Sequence, residues 1–376
     1  MDPKHVTKLP ERNLDVLRAI AVLLVVLSHT LRLFHPDLGL GVHALMLGRL
    51  GVLFFFTHTA CVLMASLERM ERRQRRHVAW RFYVRRAFRI YPLAWAAVAI
   101  FLLAHVPATW DNFRFPAAFQ PATLGTLAAN LGLSQNLFGA RDLIGPLWTL
   151  PLELQMYAVL PVCYIAAKRG IRSTLGVLSA AVVIGALYSE FAHSQWSRAT
   201  LGTSTVAEMA KVSMFGVCFV AGVLVYAIRR HRPSWAVIPS RAFPLGLGFA
   251  VVIFLVSSTT RLGGDTGAAW LPCLALAIII PCVRERSPGA VSTAAAHIAR
   301  YSYGIYLLHT AALWWSFHTL AASPSVVQWT VFVALLAGMP VLSYYALEAP
   351  ATRLGAKLSD GRRGTELRAV VDVAAP

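Results

Sequence analysis

The sequence predicts an all-α protein that crosses a membrane about ten times. Three observations predict it. Of 376 residues, 57% are hydrophobic and only 14% charged, with a mean hydropathy of +0.59, against about 25% charged residues in an ordinary soluble domain. Apolar runs of spanning length, about 17–25 residues, recur along the chain. The excess of positive charge, net +18, falls in the short connectors between those runs, as it does in cytoplasmic loops. No basic groove with interleaved aromatics lies outside the connectors, so no nucleic-acid partner is expected.

The runs fall at about 14–34, 46–67, 88–106, 144–167, 174–190, 206–228, 236–258, 267–283, 297–319 and 326–347. The first follows Lys4, Lys8 and Arg12 as a signal peptide would. No small-x-small cleavage site ends it, and it continues through Ser28, His29, Thr30, Leu31 and Arg32, so it reads as a retained first helix. Between the second and third runs lies RMERRQRRHVAWRFYVRRAFRIYP, residues 69–92, with nine arginines against Glu71 alone. The stretch 123–138 is apolar but short and broken by polar residues, which predicts an interfacial or re-entrant piece. The fourth run begins GPLWTLPLELQMYAVLP and carries Glu153. The ninth contains YSYGIYLLHT, and a polar tail covers 353–376. With no repeat and no low-complexity linker, the reading is a cytoplasmic N-terminus (1–12), one membrane domain (13–352) and the tail.

Orientation follows from the loops. If the N-terminus is cytoplasmic, the inner segments hold about 26 of the 35 Lys and Arg, against about seven outside. Both termini are therefore expected inside. The longest outer loop, about 107–143, carries Trp110, Asp111, Asn112, Arg114 and Asp142 and is placed to touch an extracytoplasmic substrate. The five cysteines all lie in apolar runs without a C-x-x-C pair, which predicts small buried hydrophobes rather than disulfides or a metal site.

Titratable groups inside such runs are costly and need a reason. Arg18 and His29 are eleven residues apart, which returns a helix to within about 20° of the same face about 16 Å further along. Glu153 lies roughly 13 Å below the outer face, near the expected depth of His29. His58 and His309 also reach mid-membrane. A carboxylate and an imidazole at one depth suit general-base chemistry. Arg86 and Arg89 are spaced i, i+3 and Arg85 and Arg89 i, i+4, so either pair can share a helix face at the inner edge, where guanidinium forks suit phosphates. Each group has a plainer reading. A lone His or Glu can simply hydrogen-bond a neighbouring helix, and the basic loop can simply set topology and grip anionic lipid. Membrane His, Glu and Arg also serve proton relays in transporters, although no inverted repeat is visible here.

Taken together, these residues resemble the acyltransferase 3 family of integral-membrane acyltransferases, over about 12–353. The first helix is similar to the family's Arg-then-His pattern, at Arg18 and His29. RLGVLFFFTHTACVL resembles its second-helix block at Gly51, Val52, Phe55 and Phe56. RRAFRIYPLAW resembles its Arg-x-x-Arg element, at Arg86 and Arg89. LWTLPLELQMY is similar to a further block at Trp148, Leu150, Glu153, Gln155 and Tyr157, and YSYGIYLLH and EAPATR resemble the closing motifs. The chain departs from the family at Leu53 (Asp in the family), Thr59-Ala60 (Ser-Gly) and Leu154 (a second Glu).

The resemblance is to the single-domain form, without an SGNH-type hydrolase domain. It implies a bacterial inner-membrane enzyme that moves an acyl group, often acetyl, from cytoplasmic acyl-CoA to a hydroxyl of a carbohydrate, a lipid-linked glycan or a glycosylated small molecule, with no metal. On that reading Arg86 and Arg89, helped by Arg85, hold the coenzyme A phosphates, and Arg18 guides the donor. His29 is the general base, and Glu153 is expected to orient its ring. Membrane lipid is the remaining expected partner.

Overall fold

The computed structural model describes residues 9–34, 43–73, 77–107, 119–193, 203–259 and 270–360. Among these the chain is helical, with one isolated bridge between Ile238 and Val283 and no strand. Ten helices fall on the ten expected runs. They are α1 (Glu11–Phe34), α2 (Ala44–Arg73) and α3 (Val78–Leu103), then, after the short α4 (Leu124–Leu131), α5 (Thr149–Arg169), α6 (Ile171–His193), α7 (Thr203–His231), α8 (Phe243–Thr259), α9 (Leu271–Cys282), α10 (Ala290–Leu313) and α11 (Ser325–Ser343). Seven helical stretches among the described residues are long and apolar enough to cross a membrane. The Trp110–Arg114 part of the expected outer loop lies outside the described residues.

The central helix is α2. It packs against α1 on one side and α7 on the other, and also touches α3, α5 and α9. Helix α1 packs on α2 and α10, and α10 continues to α11 and α3. Apolar side chains gain little from each other in lipid, so close packing holds such a bundle together, and small residues permit it. Gly51 marks the α1–α2 contact: a Cβ there would stand 2.5 Å from the Ala21 carbonyl oxygen and 3.0 Å from a Val25 methyl. Gly222 plays the same part between α7 and α2, where a Cβ would stand 2.8 Å from that of Ala60.

The basic connectors meet at one end of the bundle. Arg12 donates to the Arg286 carbonyl at 3.0 Å and Asn13 to the Arg284 carbonyl at 2.9 Å. Glu68, buried at the foot of α2, pairs with Arg72 at 3.1 Å and with Arg230 of α7 at 2.6 Å. Lys168 of α5 pairs with Glu71 at 2.6 Å.

Three details differ from the expected boundaries. Helix α2 runs on to Arg73, and α3 starts at Val78, ten residues before the apolar run, so most of the arginine-rich connector is helix. Arginine is a good helix former, and its aliphatic stem can lie along the helix while its head stays polar. At the other end, α11 passes through a π-helical turn (Tyr344–Glu348) into α12 (Ala349–Asp360), which packs on α3. The first part of the polar tail is therefore helical. Finally, α4 and the chain after it lie against the middle of α3. Trp95 donates to the Leu131 carbonyl at 2.9 Å, and Tyr91 to that of Gly132 at 3.3 Å. Asn130 and Gln135 satisfy this irregular backbone by bonding Arg141 O, Leu143 N and Asp142. Non-helical chain at membrane depth needs that kind of burial in protein.

Candidate functional site

Where α1, α2, α3, α5, α7 and α10 converge they line a cavity of about 120 Å³. Its apolar wall includes Val52, Phe55, Phe56, Ile90, Leu150 and Phe219. The polar wall collects one to three groups from each of five helices: Arg18 (α1), His58 (α2), Arg86 and Arg89 (α3), Glu153 and Tyr157 (α5), and Ser302, Tyr303 and Tyr306 (α10). Helical spacing explains the choice. Arg86 and Arg89 are three apart and Glu153 and Tyr157 four apart, so each pair shares one face.

These groups are held by specific contacts. Arg18 Nε donates to Ser302 Oγ at 2.6 Å, and Ser302 in turn donates to the Ala299 carbonyl at 2.8 Å. The Tyr157 hydroxyl donates to the Glu153 carboxylate, and Arg86 sits beside Tyr157. Arg89 pairs with Glu348 at the end of the π-helical turn, and its guanidinium lies 5.6 Å from the centre of the Tyr303 ring. The Tyr303 hydroxyl donates to the Ile90 carbonyl at 2.7 Å. Tyr306 and Thr149 share a hydrogen bond of 2.9 Å. Three guanidiniums thus face two carboxylates, the half-buried Glu153 and the buried Glu348. His58 Nδ1 in the cavity wall, Glu348 Oε1 beside Arg89 and His309 Nε2 near Tyr306 are buried and have no hydrogen-bond partner among the described residues.

The residues expected from sequence divide into two groups. Arg18, Arg86, Arg89 and Glu153 come together at the cavity. Arg85 does not join them. One residue from Arg86 it points elsewhere, donating to Ser359 at 2.9 Å and pairing with Asp360 at 2.7 Å, and so ties α3 to α12. His29 also stands apart from the cavity wall. Its Nδ1 bonds the Val25 carbonyl at 2.9 Å, and its ring meets that of His309 edge-on, with centres 4.9 Å apart. Arg18 and His29 both turn towards α10, as their spacing requires.

The expected pairing of Glu153 with His29 has no counterpart in the contacts: Glu153 meets Tyr157 and the charges of Arg18, Arg86 and Arg89. The packing gives the reason. Helix α5 lies on α7, α6 and α2, whereas α1 lies on α2 and α10. The two helices share only α2 among these neighbours, so equal depth does not bring Glu153 to His29. Tyr306 links the two places, because it lines the cavity and its ring centre lies 6.3 Å from that of His309. Tyr157 was available to sequence reasoning as the i+4 neighbour of Glu153. Ser302 and Glu348 carried no such signal, since each acts on a residue more than 250 positions away.

Residues 11–348 match the family model described as "Acyltransferase domain". The chain is similar to nodulation protein 10 of Rhizobium leguminosarum bv. viciae, with 24% identity over 373 residues, covering 92% of this chain and 94% of that protein. No solved structure matches it. The family match spans most of the chain and takes in every helix that lines the cavity, so the chain belongs to the acyltransferase domain family and is an integral-membrane acyltransferase.

Proposed function

We propose that this acyltransferase moves an acyl group, acetyl in the simplest case, from cytoplasmic acyl-CoA to a hydroxyl of a carbohydrate, a lipid-linked glycan or a glycosylated small molecule. The observation that carries this reading is the set of three guanidiniums, Arg18, Arg86 and Arg89, around one cavity whose wall includes Tyr306, the neighbour of the His29–His309 contact. Arg86 and Arg89 meet the phosphates of the donor by charge-assisted hydrogen bonds, and Arg18 guides it from α1. The pantetheine arm runs past Tyr306 and presents its thioester to His29. The Val25 carbonyl can only accept, so His29 Nδ1 carries a hydrogen and Nε2 is left with its lone pair, as a general base requires.

As the acceptor oxygen attacks the thioester carbon, its O–H proton passes to His29 Nε2. The C–S bond then breaks, and the thiolate takes that proton to leave as coenzyme A. Glu153, with Tyr157, balances the charge of the arginines and keeps them placed when the cavity is empty. The gathering of basic residues at one end of the bundle supports a cytoplasmic face there and a location in the bacterial inner membrane.

The test is mass spectrometry of surface glycans and glycolipids from cells carrying the wild-type protein, the His29→Ala protein or neither. An acyl increment seen only with wild type supports the reading. Acylation by an inserted His29→Ala protein overturns the assignment of the base.

A further inference from the structure

Glu153 is engaged elsewhere, which leaves open what steadies the charged form of His29. His309 stands in the right place. It is 1% exposed, on the face of α10 that packs against α1. Its Nδ1 bonds the Tyr306 carbonyl at 2.8 Å and approaches that of Ile305 at 3.2 Å. Carbonyls only accept, so the Nδ1 hydrogen is fixed and the lone pair lies on Nε2. That Nε2 is buried and has no partner among the described residues. A buried acceptor without a donor is uncommon and calls for an explanation. His29 shows the same pattern one helix away: Nδ1 tied to a backbone carbonyl, Nε2 free of it. Two imidazoles in edge contact, each with a lone pair on Nε2, can share one proton once the rings turn to bring those atoms together.

We propose that His309 is the partner of His29, sharing the proton that His29 removes from the acceptor hydroxyl, so that the two imidazoles act as one base. This rests on the role of His29 proposed above. When the acceptor O–H bond breaks, the proton binds His29 Nε2 and is held against the lone pair of His309 Nε2. It goes to the departing thiolate when the C–S bond breaks, so no other reactant is consumed. Around the pair, the charged and titratable neighbours among the described residues are Arg32 on α1 and Tyr306 on α10. Among the described residues no carboxylate contacts either ring; the Val25 carbonyl holds His29 Nδ1, where an Asp or Glu does so in other histidine bases, and His309 is the titratable ring left beside it. His309 acts through His29 and is therefore a positioning residue.

The test uses purified full-length protein in detergent or nanodiscs, with acyl-CoA and an acceptor found by the glycan experiment. His309→Gln keeps the size and polarity of the side chain but cannot share a proton as a base. It is expected to lower kcat about tenfold or more, a part of the 10²–10⁴-fold a general base supplies, with KM for acyl-CoA unchanged. The acid limb of the kcat profile should move to lower pH, because a lone His29 holds its proton less tightly. The double variant with His29→Gln should be no worse than His29→Gln alone.

Wild-type kcat in His309→Gln, or a fallen kcat with an unmoved acid limb, would overturn the proposal. Should His309→Gln fail to insert, ¹⁵N-histidine NMR of the wild-type protein decides. One shared titration of the His29 and His309 signals supports the pair, and independent titration overturns it. Failure here stays distinct from failure of the parent reading. An active His29→Ala protein sinks both, whereas a dead His29→Ala beside a normal His309→Gln sinks only this one.

Discussion

Neutralising Glu348 separates two effects that usually travel together. Its carboxylate is fully buried and pairs with Arg89, which keeps one-fifth of its side chain exposed. Breaking a buried pair by removing one partner costs about 3–5 kcal/mol. In Glu348→Gln, Arg89 keeps the face of Tyr303 and stays in electrostatic reach of Glu153. Glutamine also retains an acceptor oxygen, so the loss should sit at or below the low end, about 2–3 kcal/mol, lowering Tm by several degrees. Donor binding should move the other way. On the proposed reading a coenzyme A phosphate must take Arg89 from Glu348, and a charge-assisted hydrogen bond is worth about 1.5–3 kcal/mol. Without the competing carboxylate the Kd for acyl-CoA should fall about tenfold. Calorimetry with acyl-CoA and a thermal melt of the same purified sample read both quantities. Weaker acyl-CoA binding in a folded Glu348→Gln protein would refute the reasoning, because it would mean that Glu348 aims Arg89 at the phosphate rather than competing with it.

Other substitutions test the remaining contacts. Arg86→Ala should raise KM for acyl-CoA about tenfold or more, one charge-assisted contact, with a smaller change in kcat; steady-state kinetics reads the split. Arg85→Ala should leave KM for acyl-CoA unchanged, since its contacts are Ser359 and Asp360, and should cost under about 1 kcal/mol in stability. His29→Ala should lower transfer by about 10²–10⁴-fold at wild-type levels of inserted protein, measured by product mass and membrane immunoblot. Gly51→Val should destabilise the bundle by about 1–3 kcal/mol, because even a Cβ meets the Ala21 carbonyl; the thermal melt reads it.

The heights of the chemical groups along their helices were legible in the sequence, and their neighbours across helices were not. Hydropathy marked ten spans because lipid imposes a length on each. The spacing of Arg18 and His29 put both on one face, and that face meets α10. The i, i+3 spacing of Arg86 and Arg89 put both at one cavity, but the equally good i, i+4 pair of Arg85 and Arg89 is not used that way. The difference is set by α12, which lies on α3 and captures Arg85. Depth alone matched Glu153 to His29, although their helices share only α2 and otherwise pack on different neighbours. The true companions, Tyr157 for Glu153 and His309 for His29, required knowing which helices touch. The extension of α3 by ten residues was hidden because arginine lowers hydropathy without opposing a helix.

The ion pair between Arg89 and Glu348 also bears on how the protein is made. Its two halves lie 259 positions apart, on the third helix and on the turn after the last spanning one. A ribosome therefore delivers Arg89 to the membrane long before its counter-charge exists. Until Ser325–Asp360 emerges and docks, the nascent bundle carries a cationic cleft that lacks this carboxylate, and α12 is not there to clasp Arg85. Completion of the final hairpin turns a loosely held, positively charged intermediate into a closed fold. Chains stalled or cut before Glu348 should consequently be recognised as unfinished and degraded, even though every cavity-lining helix is already present.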